Sequence, residues 1–208
     1  MPGKSIFIVI EGLDGSGKTT ASQHLAELLE SHFPGKTLRT YEPHDPSCGG
    51  DYIRKVLRKE ITAFQPRTLA LAFAANRLDH GDRIVTPWLA GDSGRIVLCD
   101  RYYLSSLVYQ QTSDFPMENV LELNQLARKP DVIFFLNVSN EVCYERMKGR
   151  NLPPELFEEN LSETRRKYQE AIEFLRKGHQ ENIVEIDGNG TVEQTATAMF
   201  RVIMSMPE

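Results

Sequence analysis

Residues 10–25 read IEGLDGSGKTTASQHL, and they grow out of the apolar run SIFIVI at 5–10. Gly12-Leu13-Asp14-Gly15-Ser16-Gly17-Lys18-Thr19 fits G-x-x-x-x-G-K-[ST], set between an apolar strand and an amphipathic helix, where its mechanism requires it. The glycines let successive backbone N–H groups turn inward on phosphate oxygens, and the helix N-terminus adds its positive end. Lys18 has the reach for the β- and γ-phosphates, Thr19 offers a hydroxyl to Mg²⁺, and Thr20 continues the helix start. Asp14 needs its own reason, because bound phosphates repel a carboxylate. It reads either as a turn-forming or capping residue, or as a group facing a hydroxyl or amine of a second substrate.

Outward from this loop the chain alternates strands with helices. Five short β-branched runs recur at 5–10, 37–41, 95–100, 131–138 and 182–187. Ala21, Leu25, Leu28 and Leu29 share one helix face, with Gly35 as a stop; Ile53, Val56, Leu57 and Ile61 form a second stripe. Pro66 starts a long helix through LALAFAANRLDH, apolar nearly all round and therefore expected to be buried. Further helices are expected at 103–111, 117–128, 140–149, 159–177 and 191–206. The first, third and fourth runs are apolar throughout, which predicts a parallel sheet covered on both faces: an α/β, three-layer, five-stranded P-loop NTPase fold. The irregular stretches 42–51 and 149–158 read as loops beside a site, so the expectation is one domain over 1–208 with a short lid at about 146–160.

Bulk composition excludes several classes. At 208 residues, 40% hydrophobic and 25% charged, the chain is long enough for one α/β domain. Its net charge of −5 speaks against a broad nucleic-acid-binding face, leaving phosphorylated ligands to local basic clusters. Three scattered cysteines, without CxxC, suit a reducing cytoplasm rather than disulfides or structural zinc. No stretch approaches a membrane span, and the first apolar run is too short for a signal peptide.

The loop alone leaves the reaction open. A guanine-reading N-K-x-D is lacking, and Asp187-Gly188-Asn189-Gly190 comes too late to be a switch. The third strand ends LCDRYYLSS. Asp100 there suits Mg²⁺ coordination near the phosphates, and Arg101 falls at the carboxyl end of a sheet strand, where α/β ligands bind. A local Asp-Arg ion pair is the other reading.

At this point the chain resembles the thymidylate kinase family. LCDRYYLSSLVYQ (98–110) is similar to that family's signature, FAANR (73–77) to its acceptor-base segment, and YEPHDPSCGG to its loop after the second strand. RKPDVIFFLNVSNEVCYERMKGR, TRRKYQE and VEIDGNGTVEQT match in kind, so the resemblance spans nearly the whole length. It implies phosphorylation of dTMP to dTDP by ATP with Mg²⁺, in a cytoplasmic homodimer. The other readings are a kinase for another nucleotide or nucleoside, with Glu42 as a base, and a nucleotide-binding regulatory module.

What the resemblance implies can be set out residue by residue. Phe73 stacks on thymine, or is simply core; Arg77, four residues on and on the same helix face, donates to a base carbonyl. Arg101 binds the acceptor phosphate, Tyr109 packs under the sugar, and Ser105, Ser106 and Gln110 line the base edge. Asp14 faces the sugar 3′-hydroxyl, and Glu42 and Pro43 belong to the acceptor loop, where Tyr41 replaces the family's usual Arg. Some members carry an Arg inside the phosphate loop. Gly15-Ser16 stands there instead, which shifts the catalytic charge to the lid, to Arg150 first and then Arg146. A solvated basic helix end is the plainer reading of those arginines.

Overall fold

The computed structural model describes residues 3–148 and 160–207. β1 (Ile6–Gly12) and β3 (Ile96–Asp100) are buried along their whole length, and β4 (Val132–Asn137) up to its last residue. β2 (Thr37–Tyr41) and β5 (Ile183–Asp187) are only partly buried. Burial follows position: the strands lie in the order β2-β3-β1-β4-β5, all parallel, so the three apolar strands take the centre. α1 (Lys18–His32) packs against α9 (Val192–Ser205), and α5 (Tyr103–Tyr109) against α8 (Leu161–His179), covering the sheet. The expected three-layer architecture is the observed one.

This order places a switch point beside β1, whose neighbours β3 and β4 are reached by opposite windings. Ligands of open α/β sheets bind at such a crevice. The phosphate loop leaves the carboxyl end of β1 there, and Arg101 leaves the end of β3, with Ile10 and Asp100 in register. The start of α1 opens on the same spot, although an uncapped start is shared by most of the described helices. α8 and α9 are closed by side-chain caps, Asn160 Oδ1 on the Glu163 amide and a Thr191/Gln194 capping box. α1 instead starts after Gly17 in the left-handed region with no side-chain cap, which leaves its first amides for a ligand.

Several elements differ from expectation. α2 (Gly50–Leu57) stops before Lys59, whose φ is 61°, so Ile61 lies beyond the helix. α6 (Met117–Leu123) ends early because the Asn124 amide takes the Val120 carbonyl. α3 (Pro66–His80) buries only one side, including Leu69, Ala70, Asn76 and Arg77; Leu71 is 54% exposed and Ala75 is exposed with it. All-round burial is thus corrected: the apolar composition of α3 continues onto an uncovered face of the chain. α3 runs on through a π-helical segment (Gly81–Val85) into α4 (Thr86–Leu89). α7 (Asn140–Lys148) carries the start of the expected lid, of which residues 149–159 lie outside the described residues.

Candidate active site

Gly15 and Gly17 hold φ of 80° and 84°, which side-chain-bearing residues rarely adopt. At Gly15 a Cβ would stand 2.4 Å from the Cys143 carbonyl oxygen of α7. α7 therefore lies too close for a loop arginine at this position. Lys18 folds back on the loop: Nζ donates to the carbonyls of Gly12 (2.9 Å) and Leu13 (2.7 Å). Burial, reinforced by the like charge of Arg101, pushes its pKa down to about 8 against the pull of Asp14, Glu11 and Asp100. Asp100 is buried beside the loop, and burial pushes its carboxyl up, while the Ser22 hydroxyl, Arg39 and Lys18 pull the other way. Its Oδ1 has no hydrogen-bond partner among the described residues. A buried, partly unsatisfied carboxylate near the Thr19 hydroxyl is a donor set that fits a hard divalent cation.

Next to the loop opens a cleft of about 610 Å³. At its near end Arg101 leaves β3 with φ 66°, its amide donating to the Ile10 carbonyl (2.9 Å). Its guanidinium donates to Asp14, to Ser105 Oγ (3.2 Å) and to the Tyr168 hydroxyl (3.3 Å), and lies 5.6 Å from the Tyr109 ring centre. Asp14 is shared, 3.8 Å from Lys18. Behind them Glu11, fully buried at the end of β1, accepts from the Tyr102 and Ser105 amides, Ser105 Oγ and the Tyr168 hydroxyl. Four donors on one carboxylate fix the start of α5 and hence the face presented to Arg101.

At the far end Arg77, 2% exposed, donates Nε to Glu42 (2.7 Å) and Nη1 to Asn124, and stacks 5.1 Å from the Tyr102 ring centre. Glu42 Oε1 also faces His80 Nδ1 at 3.1 Å, so both carboxylate oxygens are engaged. Gln110 Oε1 and Ser106 Oγ are buried without partners among the described residues, on the wall of the same cleft. Unpaired polar atoms on a cleft wall that also carries Arg77 and Arg101 fit a polar ligand. Asn76 holds the loop after β2 by pairing with both backbone groups of His44 and with the Cys48 carbonyl.

Of the residues expected from sequence, Asp14, Glu42, Pro43, Phe73, Arg77, Arg101, Ser105, Ser106, Tyr109 and Gln110 all line this one cleft. Arg146 lies at the loop's rim: its guanidinium spans the Ser16 (3.1 Å) and Gly188 (3.1 Å) carbonyls. Arg150 falls outside the described residues. Sequence reasoning missed Glu11, Asn124, Tyr168 and Arg54. Arg54 lines the cleft from α2, donates to Asp45 and the Pro43 carbonyl, and lies 5.7 Å from the ring of Tyr41. Its guanidinium thus lies against Tyr41, the position at which the family resemblance leads one to expect an arginine. Glu42, His80 and Cys99 bring three donor atoms within 4.8 Å of one another. Those atoms are already engaged with Arg77, Thr40 and the Arg101 carbonyl, which makes them a hydrogen-bonded support rather than a metal cage.

A family model described as thymidylate kinase matches residues 10–199. A probable thymidylate kinase of Methanocaldococcus jannaschii is 34% identical over 206 residues, covering 98% of this chain and 98% of its own. A thymidylate kinase of Ruegeria pomeroyi is 31% identical over 209 residues, covering 99% and 97%. The crystal structure of thymidylate kinase from Ehrlichia chaffeensis shares the fold, with a TM-score of 0.69 over 97% of this chain and 99% of that one, at 24% identity.

Proposed function

The chain belongs to the thymidylate kinase family, and from that premise we propose how its own residues divide the work of phosphorylating dTMP to dTDP with ATP. The observation that carries the reading is the pairing, across one cleft, of a donor at Arg77 with an orphaned acceptor at Gln110 Oε1. Thymine offers the complement, a carbonyl oxygen and an N3–H. Cytosine reverses both, with an amino group and a bare ring nitrogen. Phe73 covers the ring, Tyr109 sits under the sugar, and Asp14 takes the 3′-hydroxyl. Arg101 holds the acceptor phosphate bidentately beside the phosphate loop, with Arg54 completing the anion site from α2.

ATP lies on residues 12–20. Lys18 exchanges its two carbonyl partners for phosphate oxygens, which are better acceptors for a cation. The acceptor oxygen is already anionic, so no general base is needed, and catalysis reduces to alignment and charge neutralisation. Thr19 and Asp100 would hold Mg²⁺, which supplies positive charge to the donor phosphates. Arg146 holds the loop by the Ser16 carbonyl, leaving Arg150 as the lid's candidate for charge on the transferred group. We further propose a single cytoplasmic domain over 1–208 that acts as a homodimer. Exposed Leu71 and Ala75, one turn apart on α3, support the dimer, and three unpaired cysteines support the compartment. No described helix is long and apolar enough to cross a membrane.

A coupled assay of ADP formation tests the acceptor. kcat/KM for dTMP is expected to exceed that for dCMP by about 10³-fold, and that for dUMP by about 10- to 200-fold, the worth of one methyl group. Preference for thymidine itself would favour a nucleoside kinase. Glu42 argues against that, since both its oxygens are engaged and neither is left for a 5′-hydroxyl. ADP release indifferent to every acceptor would favour a regulatory module.

Asp100→Asn tests the metal assignment on two axes. Burial raises the Asp100 pKa, so folding favours the neutral carboxyl. The stability this gives is complete below the unfolded value and lost as pH rises through the raised one. At neutral pH the carboxylate is a cost that Asn removes. The variant is expected to melt higher than wild type near pH 7, with kcat reduced about 10²-fold or more. A lower Tm with activity intact would overturn the assignment.

A further inference from the structure

We propose that Asn124 is a positioning residue for base selection: by holding Arg77 Nη1, it fixes the edge of the guanidinium that reads the pyrimidine. The proposal rests on the dTMP reading above and adds a residue that does not itself line the cleft.

Arg77 is held from three directions. Nε donates to Glu42, Nη1 donates to Asn124, and the guanidinium stacks on Tyr102. No described residue accepts from Nη2, and Arg77 lines the cleft, so this edge is the one presented to a ligand. Glu42 alone is a hinge, because a single bond at Nε leaves the fork free to tilt. The second anchor at Nη1 turns the hinge into a plane.

Asn124 is suited to that role by its own environment. It is 5% exposed, at the end of α6, and its Nδ2 donates to the Val120 carbonyl at 2.7 Å. That bond decides the amide orientation. A flipped amide would set oxygen against the Val120 carbonyl and NH₂ against the guanidinium, two repulsions in place of two bonds. Oδ1 therefore faces Arg77 and holds its Nη1, so the guanidinium, which has donors only, meets the base in one fixed orientation. A donor-only edge held in one plane accepts a 4-keto pyrimidine and rejects a 4-amino one.

Two variants separate this from a merely structural helix end. Asn124→Leu removes both bonds while keeping the same branched heavy-atom skeleton. Asn124→Asp keeps an acceptor toward Arg77 but cannot donate to Val120. Both are expected to lower Tm, because each leaves the Val120 carbonyl without its side-chain partner. Only Asn124→Leu is expected to raise KM for dTMP, about tenfold, and to cut the dUMP-to-dCMP ratio of kcat/KM about tenfold. kcat and KM for ATP should stay near wild type. Asn124→Asp should keep the ratio within about threefold, and carries the test if the leucine variant does not fold. A leucine variant with lowered Tm but unchanged dTMP KM and base ratio would overturn the proposal, as would a tenfold loss of ratio in the aspartate variant. Failure of the dTMP reading itself would appear separately, as a wild-type enzyme with no preference for 4-keto over 4-amino pyrimidines.

Discussion

Lys18→Met is expected to abolish phosphoryl transfer while leaving the nucleotide-free protein at least as stable as wild type. Lys18 is 8% exposed, and its depressed pKa says that the fold pays about 3 kcal/mol to keep it charged. Its only direct hydrogen bonds among the described residues are to two loop carbonyls, a weak return on a buried ammonium. ATP brings phosphate oxygens to the same Nζ and converts the cost into binding and transition-state stabilisation, worth ~10³-fold or more in rate. The sign of the pH effect follows. A lysine with a lowered folded pKa contributes stability that is present above its unfolded value of 10.5 and lost as pH falls through about 8. Wild type should gain on the methionine variant as pH rises from 7 through 9, in denaturant melts without nucleotide. ATP should raise the Tm of wild type far more than that of the variant. Near-normal turnover in Lys18→Met would remove the phosphate-loop assignment altogether.

How much of this was legible in the sequence depends on how local each constraint is. The phosphate loop reads directly because one cradle needs fixed spacings of Gly, Lys and Thr over eight residues. Arg77 reads from Phe73 because both lie on one helix, four residues apart. The central strands read as uninterrupted apolar runs because helices cover both faces. Glu11, Asn124 and Tyr168 gave no such signal. Glu11 meets partners 91 to 157 residues away, and Asn124 meets Arg77 across 47. No period along the chain encodes such pairings. The one available hint was a charged residue, Glu11, ending a strand otherwise wholly apolar, which must find donors to be buried. α3 misled for a related reason: composition says how apolar a helix is, whereas the neighbours decide which side is covered, and they leave Leu71 54% exposed.

Arg101 should show the second large effect, and its variants separate anchoring from catalysis. Arg101→Met is expected to lower kcat/KM for dTMP by ~10³-fold or more, and Arg101→Lys by about 10²-fold, because an ammonium keeps the charge but loses the planar fork. KM for ATP should change little in either. Both variants inherit the left-handed backbone at φ 66°, a strain of about 1–2 kcal/mol that wild type already carries, so that part cancels. What does not cancel is the ion pair. Removing the guanidinium takes the closest described ion pair from the Asp14 carboxylate, 17% exposed and 3.8 Å from Lys18, and Arg101→Met should destabilise accordingly. Asp14→Asn relieves that burden, so the double variant should be more stable than the two single effects added together predict, by about 1 kcal/mol or more. Activity should not follow. The acceptor phosphate still lacks its bidentate partner, and the double variant should turn over no faster than Arg101→Met. Recovery of turnover together with stability would mean that Arg101 serves only to neutralise Asp14, and the acceptor phosphate would then have to be held from the α2 side, by Arg54.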